Sequence, residues 1–265
     1  MAEIENKMTT VADVAKGWLK ERGLPIYSDE ELNRQLDERE LKAQQKASED
    51  FLNLKRRVYD RDSLWPSGRK ITFSMESWKP ELQTNVEYAT ELKKKAGVIF
   101  RKMREKNFNV MLSGSAGTGK TAMTLGLIDA FAKYTNKTTM FVSAVALREL
   151  VMHDFNDWQS EDKLKRVEKS MIEVDVLVID DFGSEVGMAG AVKQATERLQ
   201  QFYMRIADAR FELDADGNRT KSNIITTNNT IDELSEMYNE KLLSRLVTKR
   251  QDNMLVFANL EDMRE

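Results

Sequence analysis

The segment "NVMLSGSAGTGKTAMTL", running from Asn109 to Leu125, constrains this chain more than any other. Inside it, "GSAGTGKT" (114–121) fits the spacing G-x-x-x-x-G-K-[ST], with an apolar strand pattern before it and a helical pattern after it. Glycines at 114, 117 and 119 let the backbone wrap tightly enough for its N–H groups to face an anion. The helix that opens at Lys120 adds the partial positive charge of its N-terminus. Such a loop holds nucleotide phosphates, so Gly114, Ser115, Ala116, Gly117, Thr118, Gly119, Lys120 and Thr121 are the candidate nucleotide-binding residues. Lys120 is placed to neutralise β- and γ-phosphate oxygens, and the Thr121 hydroxyl to hold Mg²⁺.

A second pattern completes such a site. In "VLVIDD" (176–181) four apolar residues bury a strand, and Asp180 emerges at its carboxyl end as a candidate metal ligand. Asp181 is then placed to orient or deprotonate an attacking water. "NIITTNN" (223–229) is a further apolar strand ending in polar residues. Asn228 there reads either as a hydrogen-bonding partner for that water or the γ-phosphate, or as part of an asparagine-rich turn. "KLLSRLVTKR" (241–250) puts Arg245 on an amphipathic helix. It reads either as surface charge or, in an assembling ATPase, as a group reaching a neighbour's γ-phosphate.

Composition removes several alternatives. The 265 residues allow one ordinary α/β domain plus a smaller one. Cysteine is absent and His153 is the single histidine, which excludes disulfides and thiolate- or histidine-built metal sites. No apolar run approaches the ~20 residues of a bilayer span, and no secretory signal is visible, so a cytoplasmic location is expected. Net charge is −3, so no global field attracts nucleic acid; basic clusters such as "KRR" at 55–57 read as a solvated helix face or a DNA surface. "DADGN" (214–218) lacks the glycine position of a calcium loop and reads as a hairpin tip between 211 and 222.

Upstream of residue 66 the chain is helical. Thr9 or Thr10 caps a helix through "VADVAKGWLKERG", and Ser28 with Glu31 three residues on has the capping-box pattern. Leu32, Leu36, Ala43, Ala47, Phe51, Leu54 and Val58 recur at three- and four-residue steps and form one thin apolar stripe. "WPSGRK" (65–70) reads as a linker. Beyond it, apolar strands alternate with helices, including helices over about 144–155, 160–172 and 192–209. That order implies a parallel sheet covered on both faces.

Taken together, "ITFSMESW", "GSAGTGKT", "SAVALRELVM", "VDVLVIDDFG", "IITTNN" and "LLSRL" resemble the AAA+ ATPases of the DnaC/DnaI helicase-loader group, bacterial or phage-encoded, with the transposition helper IstB close by. The resemblance covers 71–265. It implies a P-loop NTPase fold, a parallel β-sheet flanked by helices, at 67–265, preceded by a small all-α helicase-interaction domain at 1–66. It implies ATP hydrolysis with Mg²⁺, self-association in the ATP-bound state, and a replicative hexameric DNA helicase and single-stranded DNA as partners. An IstB-like role in DNA transposition is the alternative. By the same resemblance Asn228 matches the sensor-1 position, Arg245 the arginine finger and Arg264 the sensor-2 position. Helix 144–154 and "FGSEVG" (182–187) match DNA-facing segments, with Phe182 or Phe155 available for stacking on bases. The pair Asp180–Asp181, where an Asp-Glu pair is also common, implies slow unassisted hydrolysis. With no cysteine, the N-terminal domain cannot carry the zinc of DnaI-type loaders.

Overall fold

A computed structural model describes residues 11–23, 25, 27–153, 158–186 and 194–263. The chain divides into two compact units, Met1–Phe51 and Leu52–Glu265.

The first unit holds helix α1 (Val11–Glu21) and most of helix α2 (Asp29–Asp62). Residues 9 and 10 lie outside the described residues. The start of α2 follows from local chemistry: the Ser28 hydroxyl accepts from Glu31 N, and the Glu31 carboxylate accepts from Ser28 N, so two otherwise orphaned donors are satisfied. The stripe is exposed as far as Leu54, whereas its last member, Val58, is half-buried against the core of the second unit. Leu32, Leu36, Phe51 and Leu54 all stand in the large exposed apolar set.

The second unit is a five-stranded parallel sheet in the order β2-β3-β4-β1-β5. The strands are β1 (Val110–Ser113), β2 (Thr139–Ser143), β3 (Val176–Asp180), β4 (Ser222–Thr227) and β5 (Met254–Val256). Helices α3 (Val86–Glu105) and α4 (Lys120–Tyr134) cover one face. The other carries α5 (Ala144–Met152), α6 (Trp158–Glu173), α7 (Glu197–Arg210), α8 (Ile231–Met237) and α9 (Glu240–Leu246). Side chains alternate between two cores, as a pleated strand requires. Val110, Leu112, Phe141, Val176, Val178 and Ile224 join the α3–α4 core. Met111, Met140, Val142, Leu177, Ile179 and Ile225 join the other. Burial on both faces is why these strands read as unbroken apolar runs.

The punctuation at 65–70, expected to be a linker, lies inside this unit. Leu64 N donates to Phe141 O (2.9 Å) and Leu64 O accepts from Ser143 N (2.8 Å), which covers the free edge of β2. Trp65 then stacks on Phe141 with ring centroids 4.4 Å apart. Tyr59 and Leu64 are core residues, so Pro66 and Gly68 turn the chain after it has joined the sheet edge.

One buried cation organises the far end of the sheet. Arg210 is fully buried and donates to Met171 O, Val174 O and Ser222 O (2.7, 2.7 and 2.6 Å) and to Asn223 Oδ1 (2.6 Å). It ties the end of α6 to the starts of β3 and β4. Burial lowers its pKa to about 9, and the ring of carbonyls compensates for the lost water. The segment 211–222 is the expected turn: Leu213 bridges Arg219 antiparallel, and Gly217 at φ 77° closes the tip.

Candidate nucleotide-binding site

Because β4 lies between β1 and β3, the loop after β1 and the carboxyl ends of β3 and β4 meet at one end of the sheet. The loop 114–119 leads into α4, whose N-cap is Gly119 at φ 94°. A side chain there would strain the backbone and press on the indole of Trp78, which is buried beside the loop. Thr118 is buried and its hydroxyl donates to Ser115 O (2.9 Å), fixing the loop's curvature. Lys120 is 4% exposed and folds back over the loop, its ammonium donating to Gly114 O (2.8 Å) and Ser115 O (2.6 Å). Those bonds hold the charge over the cradle of backbone N–H groups.

The carboxyl end of β3 carries the complementary group. Asp180 is 2% exposed and accepts from the Thr121 hydroxyl (3.0 Å to Oδ1) and the Thr226 hydroxyl (2.7 Å). Thr226 Oγ1 also accepts from Asp181 N (2.8 Å), so one β4 hydroxyl fixes both acidic residues. Asp181 has φ 57°, the one non-glycine residue with positive φ among those described. Aspartate tolerates that conformation better than most residues, yet it remains strained. Burial, and secondly the Asp181 charge, push the Asp180 carboxyl up to about 6, against the opposing pull of Thr226, Thr121 and Lys120.

A hydroxyl and a carboxylate in contact are the donor set expected of a Mg²⁺ site completed by phosphate oxygens and water. No cluster of three or more His, Cys, Asp and Glu suited to a metal exists among the described residues. Thr121 and Asp180 fit an ion whose remaining ligands come from a nucleotide and water.

The other expected residues divide. Asn228 follows β4 on an exposed turn at the same end of the sheet, and the carboxamide of Asn229 lies against Gly183. Arg245 is on α9, whose carbonyl at that residue accepts from Asn109 Nδ2 (2.7 Å) at the amino end of β1. It pairs with Asp208 of α7 and lies over the ring of Phe211. A strand of four residues, at about 3.3 Å each, separates that end of β1 from the phosphate loop, so Arg245 does not serve its own chain's site. Arg264 and Phe155 lie outside the described residues.

Phe182 is a correction. It is fully buried, stacked on Tyr238 at 4.5 Å between centroids, and cannot stack on a DNA base. Its neighbour Glu185 is buried too, accepting from the hydroxyls of Tyr203 and Tyr238 and from Gly183 N; burial raises its pKa. The described part of the 182–187 segment therefore turns inward. An apolar residue after an acidic pair gives no sign in the sequence of which way it faces.

Two contributors were missed, Thr226 and Trp78, and the chain after β5, expected to contribute through Arg264, approaches the loop through other residues as well. Phe257 N donates to Ser113 O, and Met263 N donates to Gly117 O (3.1 Å). Any Cβ on Gly117 would collide with the Asp262 carboxylate, so this segment runs directly against the phosphate loop.

The fold and this site define an AAA+-type P-loop protein, with a parallel sheet flanked by helices and a helical N-terminal region. The profile of the IstB-like ATP binding proteins matches residues 43–253, and the chain belongs to that family. Nothing among curated proteins matches its sequence. Among solved structures it is similar to the replication initiator DnaA bound to AMPPCP and single-stranded DNA (16% identity, TM-score 0.49), covering 73% of this chain and 50% of that one. It is also similar to the DnaC helicase loader (19% identity, TM-score 0.46, 64% and 89% covered) and to DnaI (16%, 0.45, 66% and 86%). The chain thus spans about half the length of the DnaA chain it matches. No helix among the described residues is long and apolar enough to cross a membrane.

Proposed function

We propose that this chain is an ATP-dependent loader, which binds a hexameric replicative helicase and single-stranded DNA and delivers the helicase onto the strand when replication starts. The observation that supports this reading is that the candidate phosphate-binding residues and Arg245 stand at opposite ends of the same sheet. Lys120, Thr121, Asp180 and Asp181 gather at one end, and Arg245 stands at the other. A reaction centre that uses both is complete only between two copies, which makes nucleotide state a control on assembly.

Bound Mg–ATP supplies the phosphoanhydride whose cleavage ends the assembled state. Within one copy, Lys120 neutralises phosphate oxygens, and Thr121 with Asp180 holds the ion. Asp181, fixed through its N–H to Thr226, orients the attacking water, with Asn228 alongside. Arg245 of a second copy leaves Asp208 to stabilise transition-state charge, a contribution worth orders of magnitude in rate elsewhere. Arg264 joins the phosphates from the segment after β5. The exposed stripe Leu32–Leu54 on α2 docks in a groove of the helicase, as amphipathic helices do.

Co-purification with the cognate helicase, combined with ATP hydrolysis measured with and without single-stranded DNA, tests this reading. The loader reading predicts helicase capture by the whole chain and none by a chain lacking 1–51, whose P-loop site stays intact. Capture that survives the deletion, or no capture at all, overturns it. The family match favours a second reading, an IstB-like helper of DNA transposition. A preference of this chain for duplex over single-stranded DNA, with no affinity for a replicative helicase, would favour that reading.

A further inference from the structure

A cavity of about 620 Å³ lies on the outer side of α4, away from the phosphate loop, between the end of α2, the 65–77 segment and the start of β2. Its wall combines two chemistries. Arg56, Arg57, Lys70 and Lys137 supply cations, while Trp65 and Phe73 supply aromatic surface. Trp65 rests one face on Phe141, which holds its ring in a fixed plane.

The cations are unevenly satisfied. Arg56 donates from Nη2 to Thr135 O (2.7 Å), but its Nε is buried without a hydrogen-bond partner among the described residues. Arg57 has neither hydrogen bond nor ion pair among the described residues, and it is exposed. Lys70 pairs with Asp60 (2.5 Å). Lys137 donates to Asn107 Oδ1 (2.6 Å), and burial lowers its pKa, a cost that a nearby anion relieves. Asp60 and Asp129 are the acidic groups on this wall, so four cations face two carboxylates. A buried donor without an acceptor beside fixed aromatic rings matches a ligand with an oxyanion and a flat π-face. Arginine binds phosphate oxygens through paired donors, and aromatic rings stack on any base.

We infer that this cavity is a nucleotide-unit subsite, in which Arg56 and Arg57 hold a phosphate and Trp65 with Phe73 receives the base. Its source is either a nucleotide within a single strand of DNA or a free mononucleotide. The first case rests on the loader reading above, and adds to it a DNA contact on the outer face of the unit. The site is distinct from the phosphate loop, so its ligand and the ATP bind together.

Anisotropy of a labelled oligo-dT strand, with AMPPCP and Mg²⁺ filling the phosphate loop, separates the possibilities. Arg57→Glu and Lys70→Glu change exposed side chains and leave the core alone. The strand case predicts at least fivefold weaker binding for Arg57→Glu, with a salt dependence shallower by about 0.7 per lost phosphate contact. Trp65→Leu weakens binding at unchanged salt slope. Free dTMP, titrated by calorimetry under the same conditions, reports the mononucleotide case: binding lost in Arg57→Glu supports the subsite with that source. Wild-type strand binding unchanged in both charge reversals, with no dTMP bound, overturns the subsite and leaves the loader reading standing. A wild-type chain that binds no strand overturns the loader's DNA contact, and with no dTMP bound the subsite falls too.

Discussion

Asp180 carries a conflict between folding and chemistry. Its folded-state pKa of about 6 lies above the ordinary 3.8, so the folded chain keeps this proton to higher pH than the unfolded chain does. The unfolded chain ionises first, from about pH 3.8, and the carboxyl is neutral in both states only well below that. It subtracts from stability as pH rises through 6, and the full penalty, on the order of 3 kcal/mol, is present by pH 8. Asp180→Asn removes the charge while keeping an acceptor for Thr121 and Thr226. Thermal melts should show the variant more stable than wild type at pH 8, with the gap closing toward pH 4, while Mg²⁺-dependent hydrolysis is lost. Equal melting temperatures at pH 8 would contradict the assigned shift. Thr226→Val probes the other partner. It deprives Asp181 N and Asp180 of one shared hydroxyl, and should cut kcat about tenfold or more with nucleotide affinity little changed, as steady-state kinetics would show. The motif residues were legible because a phosphate loop is made by contiguous chain. Thr226 was not, because its role depends on β4 lying between β1 and β3, a strand order no local pattern contains.

Among the elements, the strands were the most legible, since each is buried on both faces and reads as an apolar run. Helix boundaries shifted modestly: α5 ends at Met152 and α7 starts at Glu197. The linker expectation failed for a physical reason. Pro66 and Gly68 mark a turn, and a turn says nothing about whether the chain beside it is packed; Leu64 on the β2 edge and Trp65 on Phe141 decide that it is. Arg210 is another contact invisible to pattern, since arginine near a helix end ordinarily faces water. Arg210→Met leaves the carbonyls of Met171, Val174 and Ser222 without their donor and should cost about 3 kcal/mol or more in urea denaturation. Arg205→Met on the same helix, in an exposed pair with Glu168, should cost well under 1 kcal/mol.

The second unit separates two surfaces, a phosphate site at one end of the sheet and an arginine at the other, and the first unit carries a third, an exposed apolar helix stripe. The separation of the phosphate site from the arginine is what the proposed nucleotide-governed assembly requires, and each surface was named from the sequence while none could be located by it. Arg245 sits against Asp208 and Phe211, a partnership that the proposed contact with a neighbour's γ-phosphate would replace. Asp208→Ala, which frees the guanidinium, should therefore raise hydrolysis at limiting protein concentration, as measured by phosphate release. The most direct test of the account mixes two variants. Asp181→Asn lacks the water-orienting group and Arg245→Ala lacks the arginine, so each alone should be nearly inactive. In an equimolar mixture, random neighbours place an intact Asp181 opposite an intact Arg245 at about a quarter of interfaces, and hydrolysis should recover to about that fraction of wild type. A mixture as inactive as its components, or an Arg245→Ala chain as active as wild type alone, would contradict a reaction centre shared between copies.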